Sequence, residues 1–418
     1  MIATRIRRAW ESLRTDILLR NSLYLMLATG VTAASGFGFW FMCSRLFTPA
    51  DIGAAATLIS ATTVISYVSL LGFNSTFVRF LPTSADRDAE ITTGLVLSMA
   101  GAMCLAALYV VALPFVAPAI TLLSGDAPHG IGFVVIAACS ALNLLTDSIF
   151  VALRAAKYNL FVDGLVLGGI KLLLPFVLAG WGAYGVFAAF GAGTLVAMPL
   201  SIYLLMVRFD YRPALRVDRS ALAKVAHYSS ASYVANIFNM APVLVLPVVV
   251  LNRLGAPAAA YYALAFAIAN LLYAVVYAVC QSLFAEGSYE GQELSTLLWR
   301  STLAIGGTLV PAAIALFAAA EPVLRIFGES YAVGAAALLR TFAVASPVVA
   351  LYSLGTLVLR IEQRVYGLVF VNVIYCAVIT GLAYRYVDGG LVWIGYAWLT
   401  GNLVAGVASL GACLRKDE

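Results

Sequence analysis

The chain alternates between long apolar runs and short polar connections. Twelve runs approach or exceed the about 20 residues that a helix needs to cross the hydrocarbon core of a bilayer. They lie roughly at 21–44, 53–73, 92–113, 131–153, 160–180, 183–206, 227–251, 260–284, 299–319, 332–358, 366–384 and 391–413. Because backbone polar groups in lipid must be satisfied within their own segment, each run predicts a continuous helix. The pattern predicts an all-α polytopic membrane protein with about 12 transmembrane helices.

Two sequence echoes indicate that the twelve runs form an internal repeat. The segment 45–50 has the form R-L-x-x-P-A, which recurs at 253–258, almost half the chain later. The pair Leu-Arg at 153–154 recurs at 359–360, at nearly the same displacement. When the twelve runs are divided into two halves of six, each recurring segment follows the same run of its half. Because six is an even number, both halves begin on the same side of the membrane, so the repeat is parallel rather than inverted. We expect two parallel six-helix repeats around a central cavity.

The apolar runs and the basic segments between them divide the chain into five parts. These are a basic leader at 1–20, a first six-helix lobe at 21–206, a basic linker at 207–226, a second six-helix lobe at 227–413 and a tail at 414–418.

The composition supports a membrane protein and sets its orientation. Hydrophobic residues make up 63% of the chain and charged residues only 11%, against about 25% charged residues in soluble domains. Of the 25 Lys and Arg, nineteen lie on the side of the leader, five on the other side and one, Lys171, inside a run. This bias predicts that both termini are cytoplasmic. Since the basic residues are scattered along membrane edges, we expect contact with anionic lipids and no nucleic acid partner.

The sequence offers little for metal, disulfide or nucleotide chemistry. Its six cysteines form no C-x-x-C pair, and its two histidines have no partner at a spacing typical of a metal site. A P-loop is also missing from the sequence. We therefore expect no metal, no cofactor and no internal ATPase.

Polar residues in the second half suggest one wall of the cavity. The run 260–284 carries aromatic and amide side chains at spacings of three or four, which form one helical stripe. Such a stripe is typical of a water-exposed cavity wall, whose side chains hydrogen-bond sugar hydroxyls and stack on pyranose rings. The alternative is that the same side chains pack against neighbouring helices. The candidates for substrate binding here are Asn270, Tyr273, Tyr277 and Gln281, with Asn236 from the preceding run.

Three ionisable residues lie inside the fourth and fifth runs. Asp147 lies about 10 Å inward from Arg154, and Asp163 about 9 Å inward from Lys157, so the two carboxylates should have similar depth. Lys171 lies near mid-membrane, where a charge costs at least about 2.5–3.5 kcal/mol. We expect Lys171 to bind an anionic substrate group or a carboxylate. Asp147 and Asp163 are candidates for coupling or gating, although hydration or a bond to Thr146 would also satisfy Asp147.

A family resemblance rests on the segments 20–24, 45–53 and 71–79. They resemble the Wzx-type oligosaccharide flippases of the multidrug/oligosaccharidyl-lipid/polysaccharide (MOP) exporter superfamily. The resemblance implies a bacterial inner-membrane protein that moves undecaprenyl-pyrophosphate-linked sugars to the periplasm for lipopolysaccharide or exopolysaccharide. Glycosyltransferases and a polymerase are the implied partners. Arg20, Arg79, Arg154 and Lys157 would surround the cytoplasmic mouth and attract the pyrophosphate. The alternative is that these basic residues only set the orientation of the chain in the membrane.

Two other functions remain as alternatives. A multidrug or cation antiporter of the same superfamily is expected to carry a carboxylate in its first span, and 21–44 contains neither Asp nor Glu. A membrane glycosyltransferase or polymerase is expected to have a large outer loop with catalytic groups. The longest outer loop, 114–130, offers only Asp126 and His129. Transport is therefore the expected function.

Overall fold

A computed structural model describes residues 17–84, 86–118, 127–214, 219–287 and 294–414. Within these ranges the chain forms thirteen α-helices and no strand, which confirms the all-α prediction. The helices are α1 (Ile17–Leu46), α2 (Pro49–Ser69), α3 (Phe73–Phe80), α4 (Arg87–Val116), α5 (Ala127–Ala152), α6 (Lys157–Val177), α7 (Gly182–Phe209), α8 (Arg219–Leu254), α9 (Ala256–Gly287), α10 (Leu294–Arg325), α11 (Glu329–Ile361), α12 (Val365–Tyr386) and α13 (Val392–Leu414).

Most of these helices are suited to cross a membrane. Eleven of the described helices are long and apolar enough to do so by length and composition. The helix α13 lies at the place of the twelfth predicted run. The second predicted run, 53–73, lies a few residues too far along the chain. The helix α2 begins at Pro49, and the left-handed residues Leu71 and Gly72 follow its end at Ser69. The short helix α3 then leads to α4.

The helices gather into two compact units. The first consists of the described parts of Met1–Met42, Ala61–Pro114 and Thr121–Ser230, and the second of those of Cys43–Ser60, Phe115–Ile120 and Ala231–Glu418. In the first unit, α5 packs against α3 and α7. In the second unit, α11 packs against α9, α10 and α13. In each unit the fourth long helix of the repeat is thus packed against the sixth.

Matching turns in the two halves confirm the repeat. The helices α1 and α8 end at Leu46 and Leu254, which are the second residues of the two R-L-x-x-P-A segments. The short 3₁₀ helices Ala179–Trp181 and Val387–Gly389 are separated by the same displacement along the chain. Each is followed by a glycine with positive φ, Gly182 at 53° and Gly390 at 111°. Gly182 combines this φ with a ψ of −140°, and Gly390 with a ψ of 170°, and only glycine adopts such a backbone without strain. Both halves therefore use a glycine in the turn that leads to their last helix.

The second sequence echo gives the wrong register. After α5, the N–H of Ala155 donates to the carbonyl of Phe150 across 2.8 Å, and after α11 the N–H of Arg364 donates to that of Leu359 across 2.8 Å. Each of these turns has a left-handed residue at its centre, Arg154 or Gln363. The structure therefore aligns Arg154 with Gln363, whereas the echo aligns it with Arg360. The Leu-Arg match reflects similar composition near a helix end.

Candidate functional site

A cluster of polar side chains joins α5 and α6 inside the first unit. Asn143 and Asp147 lie one turn apart on α5, and Asn159 and Asp163 lie one turn apart at the start of α6. Both helices are long and apolar enough to span a membrane. Polar groups at this depth need partners within the protein, since lipid offers none.

The cluster is linked across the two helices. Asn143 Nδ2 donates to Asp163 Oδ1 across 2.8 Å, and Asn159 Nδ2 donates to the backbone carbonyl of Asp147 across 3.3 Å. The side chains of Asp147 and Asp163 also lie within hydrogen-bonding reach of each other. A hydrogen bond between two carboxyl groups requires a proton on one of them. The structure therefore brings together the two carboxylates that the sequence placed at similar depth.

The cluster has more acceptors than donors. Asn143 Oδ1, Asp147 Oδ1 and Asn159 Oδ1 are buried without a hydrogen-bond partner among the described residues. Thr146 does not supply one, because its hydroxyl donates to the carbonyl of Asn143. The bond from Thr146 to Asp147 that the sequence offered as an alternative is therefore not formed. An excess of buried acceptors favours a proton or another positive group in this place.

The backbone around Asp163 departs from a regular α-helix. Residues Leu160–Leu167 form a π-helical segment with Asp163 inside it. Such segments are rare, and they occur often at functional sites. Gly164 and Gly168 face α1 closely, since a Cβ on them would lie 3.3 Å from Val31 Cγ1 and 3.0 Å from Ser35 Oγ. The absence of these side chains lets α1 approach the helix that carries Asp163.

Lys171 lies on α6 two turns beyond Asp163. Its Nζ is 3.8 Å from the ring centroid of Phe190 on α7. A cation over an aromatic face is attracted by about 0.5–2 kcal/mol, more when it is desolvated. Its electrostatic neighbour in the unit is Asp163. Lys171 therefore points towards α7 within the first unit, where an aromatic ring and a carboxylate offset part of its cost.

The second unit repeats this helix contact without ionised groups. Tyr352 on α11 donates to Asn372 Oδ1 on α12 across 2.6 Å. When the halves are aligned on the left-handed residues Arg154 and Gln363, Tyr352 and Asn372 fall on the positions of Asn143 and Asp163. In the same alignment, Thr356 and Thr380 stand where the first half has Asp147 and Lys171. Both halves thus have a hydrogen bond at this helix contact, and only the first half places ionisable residues there.

The predicted aromatic wall of the second unit is largely packed against other helices. Tyr273 is fully buried, and its hydroxyl donates to the carbonyl of Phe342 across 2.9 Å. The expectation that Tyr273 lines a wet surface is therefore wrong, because a helix carbonyl satisfies its hydroxyl. Tyr277 is 46% exposed, whereas Asn236 and Asn270 are half-buried. The side chain of Gln281 lies outside the described residues.

The predicted cations lie on the surface of the first unit, in two places. Arg154 and Lys157 are exposed in the turn between α5 and α6, where Arg154 is left-handed with φ 54°. Arg79 is exposed on α3, with its guanidinium carbon 5.4 Å from the ring centroid of Phe80. The side chain of Arg20 lies outside the described residues.

The sequence did not single out the amide partners of the aspartates. Asn143 and Asn159 each precede an aspartate by four positions, so both helices carry the pattern N-x-x-x-D. This shared pattern was the available signal. The chain Asn239–Tyr352–Asn372 in the second unit was also missed, in which Asn239 Nδ2 donates to the hydroxyl of Tyr352 across 2.7 Å. The residues of this hydrogen-bonded chain differ in type from their counterparts in the first half. A comparison of the two halves by residue type therefore does not reveal the chain.

Comparisons with known proteins assign the chain to a family and relate its fold to solved structures. A family model described as polysaccharide biosynthesis protein matches residues 42–336. An inward-facing multidrug resistance MATE family transporter of the MOP superfamily is 17% identical, with a TM-score of 0.70 over 93% of this chain and 97% of that one. The lipid II flippase MurJ in an inward closed conformation is 12% identical, with a TM-score of 0.76 over 93% and 87%. No curated protein matches the chain in sequence.

Proposed function

The chain belongs to the family of polysaccharide biosynthesis proteins, and we propose that it flips lipid-linked oligosaccharides across a membrane. It is a multi-pass membrane protein with the fold of the MATE transporter and the MurJ flippase. The substrate we propose is an undecaprenyl-pyrophosphate-linked oligosaccharide. The membrane is the bacterial inner membrane, with both termini cytoplasmic, as the distribution of basic residues favours.

The observation that carries the proposal is the group of ionisable residues inside the first unit. A charge in the middle of a membrane costs at least about 2.5–3.5 kcal/mol, so such residues are retained where transport needs them. The second half makes the same helix contact with Tyr352 and Asn372, which carry no charge. The helix contact itself therefore does not require the charges of Asp147, Asp163 or Lys171.

The carboxylate pair is proposed to act as the coupling or gating element. With one proton shared, Asp147 and Asp163 hold α5 and α6 together. Loss of that proton leaves two negative charges in contact, and like charges at this distance repel strongly in a medium of low dielectric constant. The protonation state of the pair thereby biases the contact between the two helices, and with it the state of the transporter.

The basic residues are proposed to guide the anionic headgroup. Arg20, Arg79, Arg154 and Lys157 would attract the pyrophosphate at the cytoplasmic mouth, because exposed cations steer anions and bond phosphate oxygens. Lys171 would then meet the phosphate at mid-depth. Glycosyltransferases that complete the oligosaccharide and a polymerase that consumes it are the proposed partners, with lipopolysaccharide or exopolysaccharide as the final polymer.

An antiporter for drugs or cations is the second candidate, because the structural neighbours include multidrug resistance transporters. The family match favours a saccharide substrate over a drug. A glycosyltransferase or polymerase is the least supported function, since the structural neighbours are a transporter and a flippase.

Deletion of the gene tests the proposal. We expect lipid-linked oligosaccharide to accumulate in the cytoplasmic leaflet, where a membrane-impermeant glycosidase does not reach it from outside. Expression of the wild-type chain should restore access. A deletion strain with normal surface polysaccharide but increased sensitivity to cationic drugs would instead support the antiporter.

A further inference from the structure

Three aromatic rings form an exposed patch where α12 ends and α13 begins, in the second unit. Tyr386 and Trp393 are stacked, with ring centroids 5.3 Å apart and planes at 22°. Tyr396, one turn further along α13, meets Trp393 edge-on with centroids 5.5 Å apart. The exposed fractions are 43% for Tyr386, 39% for Trp393 and 47% for Tyr396. These three residues are called the aromatic platform below.

An ion pair joins the end of α8 to the same turn, because Asp388 lies in the 3₁₀ helix Val387–Gly389. Arg253, near the end of α8, places Nη1 3.3 Å from Asp388 Oδ2, and both side chains remain exposed, at 38% and 66%. The guanidinium carbon of Arg253 also lies 4.9 Å from the ring centroid of Tyr384. Hydrogen-bond donors and acceptors therefore stand together beside flat apolar faces.

The turn before α13 holds the rings in place. A Cβ on Gly389 would lie 2.5 Å from Trp393 Nε1, so the indole rests directly against the backbone of this glycine. The next residue, Gly390, has φ 111°, a conformation that other residues adopt only with strain. Two consecutive glycines thus fix both the turn and the position of the Trp393 ring.

The fold does not require the aromatic platform. The first half has the same turn, with the 3₁₀ helix Ala179–Trp181 followed by Gly182. When the halves are aligned on Gly182 and Gly390, the first half carries Leu178, Gly185 and Ala188 at the positions of the three rings. Trp181 is exposed in that turn, at 60%, but it stacks on no ring among the described residues. The stacked rings and their ion pair are therefore a feature of the second half alone.

We propose that the aromatic platform binds the glycan of the substrate after it has crossed the membrane. The proposal rests on the proposed function, whose orientation places this turn on the outer side. Pyranose rings have apolar C–H faces that pack on aromatic rings, while their hydroxyls both donate and accept hydrogen bonds. Arg253 supplies donors and Asp388 acceptors for those hydroxyls. An acyl chain would use neither group.

Aromatic residues also anchor membrane proteins at the interface with water, so the test must separate glycan binding from anchoring. Trp181 supplies the matched control, because it lies exposed in the equivalent turn without stacked partners among the described residues. In the deletion strain, we expect Trp393→Leu to lower export about tenfold, and Trp393→Phe to retain most of it, because phenylalanine preserves a flat face. Trp181→Leu should leave export unchanged.

A binding measurement completes the test. The full chain is labelled with 5-fluorotryptophan, and the Trp393 signal is assigned by its loss in Trp393→Phe. The probe is the oligosaccharide released by mild acid from the lipid-linked intermediate of the deletion strain. We expect it to shift the ¹⁹F signal of Trp393 and not that of Trp299, an exposed tryptophan on α10.

The possible outcomes separate the two proposals. If the deletion strain accumulates no lipid-linked oligosaccharide, the proposed function fails, and the assignment of the platform fails with it. If the intermediate accumulates but leaves the Trp393 signal unmoved, the platform does not bind glycan, and the proposed function stands. Equal loss of export in Trp181→Leu and Trp393→Leu would show interfacial anchoring only.

Discussion

Asp163 occupies a position at which the second half of the chain carries an amide. Its counterpart Asn372 accepts a hydrogen bond from Tyr352, as Asp163 does from Asn143. We therefore expect Asp163→Asn to keep the contact between α5 and α6 while it removes the charge. Asp163→Leu removes both, and an unsatisfied buried partner costs about 1–3 kcal/mol.

Thermal unfolding of the purified chain and export in the deletion strain separate these effects. Asp163→Asn should unfold at nearly the wild-type temperature but lose most export. The export that remains should depend less on pH than wild-type export does. Asp163→Leu should lower both the unfolding temperature and export. Full export by Asp163→Asn would contradict a role for the charge. A marked loss of stability in this variant would instead contradict its equivalence with Asn372.

Lys171 offers a second test at the level of one side chain. Lys171→Met keeps the length and the contact with Phe190 but removes the charge, so we expect export to fall about 10- to 100-fold if a phosphate binds there. Lys171→Arg keeps the charge and the attraction to the ring, and should retain more export. Both expectations are checked by measuring the steady-state export of oligosaccharide by each variant, together with the amount of the variant protein in the membrane. Undiminished export by Lys171→Met would remove Lys171 from the mechanism.

The sequence could identify the charges of the first unit but not their partners. Asp147, Asp163 and Lys171 stand out because ionised groups are costly within apolar runs. Asn143 and Asn159 do not, because amides also serve ordinary packing between helices. Tyr273 was assigned to a wet surface because its partner, the carbonyl of Phe342, lies on another helix far along the chain. Helical periodicity gives the direction of a side chain but not what it meets.

At the scale of helices, hydropathy predicted the existence of the elements better than their ends. The beginning of α2 is set by Pro49, whose fixed φ suits a first helical turn, and its end by the left-handed pair Leu71 and Gly72. Such local backbone preferences leave no trace in the hydropathy of a run. The π-helical segment around Asp163 is also invisible to it, since its residues are as apolar as their neighbours.

Gly53 on α2 allows a test of helix packing in the second unit. A Cβ at this position would collide with the carbonyl oxygen of Ala256 at the start of α9. Gly53→Ala should therefore destabilise the chain by about 1–3 kcal/mol, because the backbone must shift. Gly306 on α10 is the matched control, because a Cβ there would have no described atom within 4 Å. Gly306→Ala should stabilise α10 by about 0.5–1 kcal/mol.

Thermal unfolding in one detergent measures both glycine variants. Opposite shifts of the unfolding temperature are expected, downward for Gly53→Ala and upward for Gly306→Ala. Equal shifts for the two variants would contradict the close approach of α2 to α9.

At the scale of the whole molecule, the repeat was predictable because turn signals survive where side chains have diverged. The segment 45–50 and its echo at 253–258 mark equivalent helix ends, since α1 and α8 end at the same place in the two segments. The second echo gave the wrong register, since Leu and Arg are common at helix ends in so apolar a chain. Residues that share a left-handed backbone, Arg154 and Gln363, differ in type, so only the structure reveals their equivalence.

The orientation of the chain and the parallel sense of its repeat lead to a last prediction. Single cysteines are placed in a cysteine-free background at four exposed positions, two from each half: Thr48, Thr83, Pro257 and Glu362. Thr48 and Pro257 follow the first helix of their halves, and the excess of basic residues on the other side predicts that both lie outside. A membrane-impermeant maleimide should label Thr48→Cys and Pro257→Cys in intact cells. Thr83→Cys and Glu362→Cys should react only after permeabilisation. The reversed pattern would contradict the orientation, and labelling of Thr48→Cys without Pro257→Cys would contradict a parallel repeat.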